Sequence, residues 1–135
     1  MSLKRVIKVK EGIKDARARE LKEVEARIES LRRELRETER AQEIVNEFVK
    51  SSFSEGLLIH YRYLETKKKQ IMQEIDRLNS AREEKRLRLK EVYRDLKALE
   101  IIKEMKDREE RARNTSVESQ RSGFFYLVKK WRKHG

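Results

Sequence analysis

Apolar side chains recur along this chain in alternating steps of three and four. The first series runs Leu21, Val24, Ile28, Leu31, Leu35, Thr38, Gln42, Val45 and Val49, which is the spacing of heptad a and d positions and places them on one stripe of an α-helix. Glu and Arg fill most positions between them. The second series is Leu57, Tyr61, Leu64, Lys68, Ile71, Ile75, Leu78, Arg82, Lys85, Leu89, Val92, Leu96 and Leu99. Separating the two is Ser51-Ser52-Phe53-Ser54-Glu55-Gly56, a stretch suited to a loop, with Ser54 placed to cap the helix that follows. A short break between two heptad helices makes them antiparallel neighbours. The predicted fold is therefore all-α: two long antiparallel helices in a coiled-coil hairpin, the second longer and ending in a basic C-terminal extension. The boundaries read as a first helix over 1–50, a bend over 51–56, a second helix over 57–106, and a C-terminal arm over 107–135 that is partly helical or disordered.

A bend near Ser54 sets Leu35 beside Ile71 and Ile75, and Leu21 beside Leu89, with Phe48 and Phe53 closing over the apex. Before Leu21 the frame lands on Lys10, Lys14 and Arg17, while Val6, Val9, Ile13 and Ala16 follow a shifted frame. Gly12 lies inside the shift and costs roughly 1 kcal/mol relative to Ala in a helix, so a local change of supercoil is expected there. Beyond Leu99 the apolar residues Ile102 and Met105 slip by one step as well. The two slips fall opposite each other, and pairing is consumed near Met105. Asn114-Thr115-Ser116 and Ser119 through Gly123 then weaken the helical pattern.

Composition supports a hairpin and argues against a globule. Ala, Glu, Lys, Leu and Arg supply about 57% of the residues, above the half-share that marks coiled coils and long helices. With 36% hydrophobic against 45% charged residues and one Trp, little is available for a globular core. No apolar run reaches the length of a membrane span, MSLKRVIKVKEG lacks an apolar signal core, and the lack of Cys fits a reducing compartment. The expected location is cytoplasmic.

The formal net charge is +11, which favours acidic partners. Along the helices the charge is mixed, as on any solvated coiled-coil face; at the ends it is not. Lys4, Arg5, Lys8 and Lys10 stand in the first ten residues without an acid, and Lys129, Lys130, Arg132 and Lys133 close the chain in the same way. The hairpin brings these ends together as one basic tip. FFYLVKKWRKHG adds Phe124, Phe125, Tyr126 and Trp131, about half of all the aromatic residues. A solvated tail has no use for them. An anionic membrane can take such a segment as a short amphipathic anchor. Nucleic acid attracts it through phosphate charge and stacking, although no nucleic-acid-binding motif is present.

Nothing in the sequence points to catalysis. It lacks a phosphate-cradling Gly loop, a His/Cys metal spacing and a nucleophile–base arrangement, and its two histidines, His60 and His134, stand alone. A tuned acid–base pair needs a cleft that an open coiled coil does not provide. No cofactor, metal or catalytic residue is expected. Tyr63 is more informative: it falls between the seam residues Tyr61 and Leu64 and so faces outward. One exposed Tyr is ordinary, but Lys67, Gln70 and Glu74 share its side of the helix and together with it form a candidate partner face.

The opening LKRVIKVKEGIKDARARELKEVEARI is similar to the basic, Arg- and Ala-rich first helix of the flagellar FliJ and injectisome YscO family of type III export proteins. The segment IHYRYLETKKKQIMQEIDRLNSAREEKRLRL resembles the aromatic-then-charged start of that family's second helix. The resemblance spans nearly the whole chain. It implies a non-enzymatic stalk that binds and promotes a hexameric export ATPase, links it to the membrane export gate and handles export chaperones, in the cytoplasm but peripherally associated with the export apparatus. On this sequence the candidate ATPase contacts are Arg5, Lys8, Lys10, Lys129, Lys130, Trp131, Arg132 and Lys133. The candidate gate contacts are Tyr63, Lys67, Gln70 and Glu74. The alternative is a coiled-coil module that binds nucleic acid or anionic membrane through its basic termini. The acid-free C-terminus departs from the charged, acid-containing end common in the family.

Overall fold

The computed structural model describes residues 2–134, apart from the side chains of Phe125, Lys133 and His134. Two helices account for almost all of it, α1 over Leu3–Ser51 and α2 over Glu55–His134, and they pack against each other as a helical hairpin. At the start of α1 the Ser2 hydroxyl accepts the Arg5 amide at 3.3 Å, an N-cap that satisfies one of the free donors of the first turn. At its end the Ser51 hydroxyl donates to the carbonyls of Glu47 and Phe48, and Lys50 stands in the last turn, where a cation complements the helix dipole.

The bend is shorter than the composition predicts. Only Ser52, Phe53 and Ser54 leave the helical pattern, and Gly56 lies inside the first turn of α2. No described residue has a positive φ, so the turn does not draw on the backbone freedom of glycine. Ser54 occupies the capping position, its carbonyl accepting the Leu58 amide at 3.2 Å, and Glu55 puts an acid in the first turn. Phe48 and Phe53 do not close over the apex: they are 59% and 70% exposed. Val45 and Val49 hold the seam positions around Phe48 and turn it outward.

The chain divides into two compact units, Gly12–Val92 and the paired segments Met1–Glu11 and Tyr93–Gly135. In the first unit the core consists of Ile28, Leu31, Ile71 and Leu78, with Val24, Leu35 and Ile75 packed against it. Every seam position that the heptad pattern names in this unit is buried or half-buried. Two of the buried ones are polar. The Thr38 hydroxyl donates to the Glu34 carbonyl at 2.9 Å, and the Gln42 amide donates to the Glu65 carboxylate at 2.6 Å. One of the predicted pairings differs by about a turn. Lys85 pairs with Glu20 at 3.3 Å and the Arg17 guanidinium donates to the Arg88 carbonyl at 3.1 Å, so Leu21 lies level with Lys85 and not with Leu89. The predicted neighbours Leu35, Ile71 and Ile75 do meet in the core, so the departure lies in the Leu21–Leu89 pair.

In the second unit Leu96 is buried and Leu3, Val6, Ile7 and Leu99 are half-buried. Lys10 joins Asp95 at 3.0 Å. Of the residues expected on a shifted seam, Val9 is 54% exposed, whereas Val6, Ile13 and Ala16 are half-buried, as are Lys10, Lys14 and Arg17 of the original frame. Pairing stops at Leu99. Ile102 and Met105 are exposed, as is every described side chain from Glu100 to Leu127. The helix nevertheless continues through Asn114-Thr115-Ser116 and on to His134. Thr115 returns its hydroxyl proton to the Arg111 carbonyl at 2.8 Å, and Glu104–Arg108 and Glu109–Arg113 brace successive turns. Such i,i+4 pairs, with the acid N-terminal to the base, support a helix by a few tenths of a kcal/mol each.

Candidate functional site

The four residues singled out around Tyr63 line one groove. Helical steps of three and four bring Tyr63, Lys67, Gln70 and Glu74 to one flank of α2, and Arg27, Leu31 and Glu34 of α1 form the facing wall. The groove encloses about 390 Å³ and its floor is the buried pair Leu31 and Ile71. Tyr63 is 60% exposed and its ring lies over that of His60, with centroids 6.2 Å apart and planes 16° from parallel.

Two of the four are already engaged within the chain. Lys67 lies 3.8 Å from Glu34 across the groove. Glu74 accepts two hydrogen bonds from Arg77, at 3.0 and 2.5 Å. The Arg77 hydrogen bonds hold the Glu74 carboxyl below the ordinary glutamate range; partial desolvation opposes this, and the charges of Arg77 and Arg27 add to it. Tyr63 and Gln70 are thus the members of the set that face solvent without a salt bridge. The residues contributed by α1 were out of reach of a one-helix reading. The signal that names them is antiparallel register, which sets Arg27 near Glu74 and Glu34 near Lys67.

The opposite flank carries a second groove of about 400 Å³, lined by Glu39, Gln42, Glu43, Asn46, Tyr61 and Lys68. It is polar and open, with Lys68 lying 3.9 Å from Glu39. Among the described residues no group of three or more His, Asp or Glu side chains is placed to hold a metal ion, and no helix is long and apolar enough to cross a membrane.

The basic residues do not form one tip. Arg5 and Lys8 are exposed on α1, whereas Lys10 is half-buried and paired with Asp95. Lys129, Lys130, Trp131 and Arg132 are exposed on α2, roughly 45 Å beyond Leu99 at 1.5 Å per residue. The side chain of Lys133 lies outside the described residues. The helix that continues past Leu99 is what separates the two groups. No family model, curated protein or solved structure matches the chain.

Proposed function

We propose that this protein is a non-enzymatic coiled-coil stalk of a type III protein export apparatus, acting on the hexameric export ATPase from the cytoplasmic face of the membrane. The observation that carries the reading is the unequal length of the two helices. A paired hairpin offers a stiff rod, and the continuation of α2 past Leu99 offers exposed side chains, Ile101, Ile102 and Met105 among them, to a surrounding socket. Arg5 and Lys8 are the N-terminal contacts of choice, since Lys10 is held by Asp95. The mechanism is mechanical: the rod favours some subunit conformations of the ring by touching its states unequally, since a partner shifts an equilibrium only through differential affinity.

In the same reading Tyr63 and Gln70 are the part of the groove that meets the export gate. Lys67 and Glu74, each tied to a neighbour, orient that face. Export chaperones are the further partners, and the resemblance to the FliJ and YscO family supports all three assignments. The test is an ATPase assay with the cognate hexamer at low salt and micromolar protein. Addition of the chain raises the rate by about fivefold or more, the low end of an ordinary coupling between sites, and shifts the ring towards its assembled form. Arg5→Ala with Lys8→Ala weakens both effects more than Lys10→Ala does. No change in either rate or assembly defeats the proposal.

A further inference from the structure

The last turns of α2 carry a pattern that a stalk does not require. Val117, Phe124, Leu127, Val128 and Trp131 stand at steps of seven, three, one and three, which places them on one stripe of the helix about 100° wide. Phe124, Leu127 and Trp131 are 64%, 64% and 79% exposed, and Val117 and Phe124 border one shallow apolar surface with Arg121. By helical position Arg121 and Arg132 border the stripe on one side and Lys130 on the other, with Lys129 at the back. Glu118 is the last acid in the chain. From Ser119 onward the charge is only positive.

We infer that residues 117–132 form an interfacial anchor that lies on an anionic bilayer, the stripe in the acyl boundary and the flanking cations at the headgroups. The geometry is that of helices that lie in the membrane plane, with an aromatic and aliphatic face, a basic remainder and no capacity to span. Charge complementarity selects the occupant. A second copy of the chain would set Arg121, Lys130 and Arg132 against their own kind, and like charges at close range repel. Nucleic acid satisfies the cations and can stack on Phe124 and Trp131, but it leaves Val117, Leu127 and Val128 in water. An anionic lipid surface satisfies both, each nearby Lys or Arg and each buried apolar side chain adding to the attraction. The inference does not rest on the ATPase reading, which uses Arg5, Lys8 and the helix just past Leu99.

Trp131 is the sole tryptophan, so its emission reports on the anchor within the intact protein. Vesicles of equal parts phosphatidylglycerol and phosphatidylcholine shift that emission to the blue and carry the protein down on sedimentation; phosphatidylcholine alone does neither. Phe124→Ser with Leu127→Ser lowers the partition constant at least about tenfold, and Lys130→Gln with Arg132→Gln lowers it by a similar factor at low salt and by less at high salt. Circular dichroism on each variant confirms that the hairpin is intact, and the wild-type titration decides the matter even where a variant misfolds. The inference is overturned by the absence of a shift with anionic vesicles. A shift of equal size with duplex DNA or with polyglutamate overturns it, and so does a shift that grows with protein concentration when no vesicles are present.

Discussion

The charges beside the seam of this hairpin oppose slipped registers that its apolar residues alone would tolerate. The seam is a repeat, so sliding one helix past the other by a heptad preserves most Leu and Ile contacts. The flanking charges are not a repeat. Arg27 sits near Glu74 and Glu34 near Lys67; a one-heptad slide in one direction sets Arg27 against Lys67, and in the other sets Glu34 against Glu74. Ion pairs on an exposed surface are individually weak, yet the like-charge alternatives add to the preference for the observed register. Glu74 also takes part in a contact within its own helix. Its carboxyl is held low chiefly by the hydrogen bonds from Arg77, so the pair supports the fold above the unfolded glutamate value and that support is lost as pH falls through the lowered value. A side-chain NMR titration of Glu74 should give a midpoint below that of the exposed glutamates, and Arg77→Gln should move it up towards them. A midpoint among the others in the wild type would show that the Arg77 contact is not populated in solution.

At the level of the elements, nearly everything that depends on periodicity was legible in the residues. Seam positions as unlike as Lys68, Arg82 and Leu89 are all at least half-buried, since a heptad frame states which face a residue takes whatever its type. What depends on a count across the bend was less so. Counted from either bend, 51–56 or 52–54, Leu21 faces residue 85 or 86, so its pairing with Leu89 was a miscount of about a turn along the second helix. Where a helix loses its partner was not legible either. Ile102 and Met105 look like seam residues, and only the observed register shows that α1, which starts at Leu3, runs out at about the level of Ile102. The groove at Tyr63 was half visible for the same reason: its α2 wall follows from spacing, its α1 wall from pairing. Gly12 offers a test at this scale. It is exposed within α1, and a Cβ built there meets no atom within 4 Å. Gly12→Ala should therefore stabilise the hairpin by about 1 kcal/mol, read as a higher midpoint in thermal or urea unfolding. A loss of stability would mean that the helix departs from regular geometry where the two apolar frames meet.

For the molecule as a whole, the separation between paired and unpaired helix sets how stability is distributed. Within Gly12–Val92 the amides of α1 and α2 are backed by a buried seam, so opening them requires the seam to part. From Glu100 to Leu127 every described side chain is exposed, and Glu–Arg pairs brace successive turns of the helix. Isolated helices of this kind are marginal in water, because nucleation is costly and propagation gains little for residues other than Ala. Local opening should then be far cheaper in residues 100–134 than in the cores of the two helices. Amide hydrogen exchange on the full chain tests this. Protection should be high around Ile28–Leu31 and Ile71–Leu78, fall near Leu99, and be lower by about a hundredfold or more along the C-terminal arm. Anionic vesicles should raise protection over residues 117–132 alone, while, under the stalk proposal, a cognate export ATPase should raise it first between Leu99 and Val117. Uniform protection from Leu57 to Lys130 in the free protein would mean instead that a second copy already covers the arm, and both binding proposals would then have to compete with that pairing.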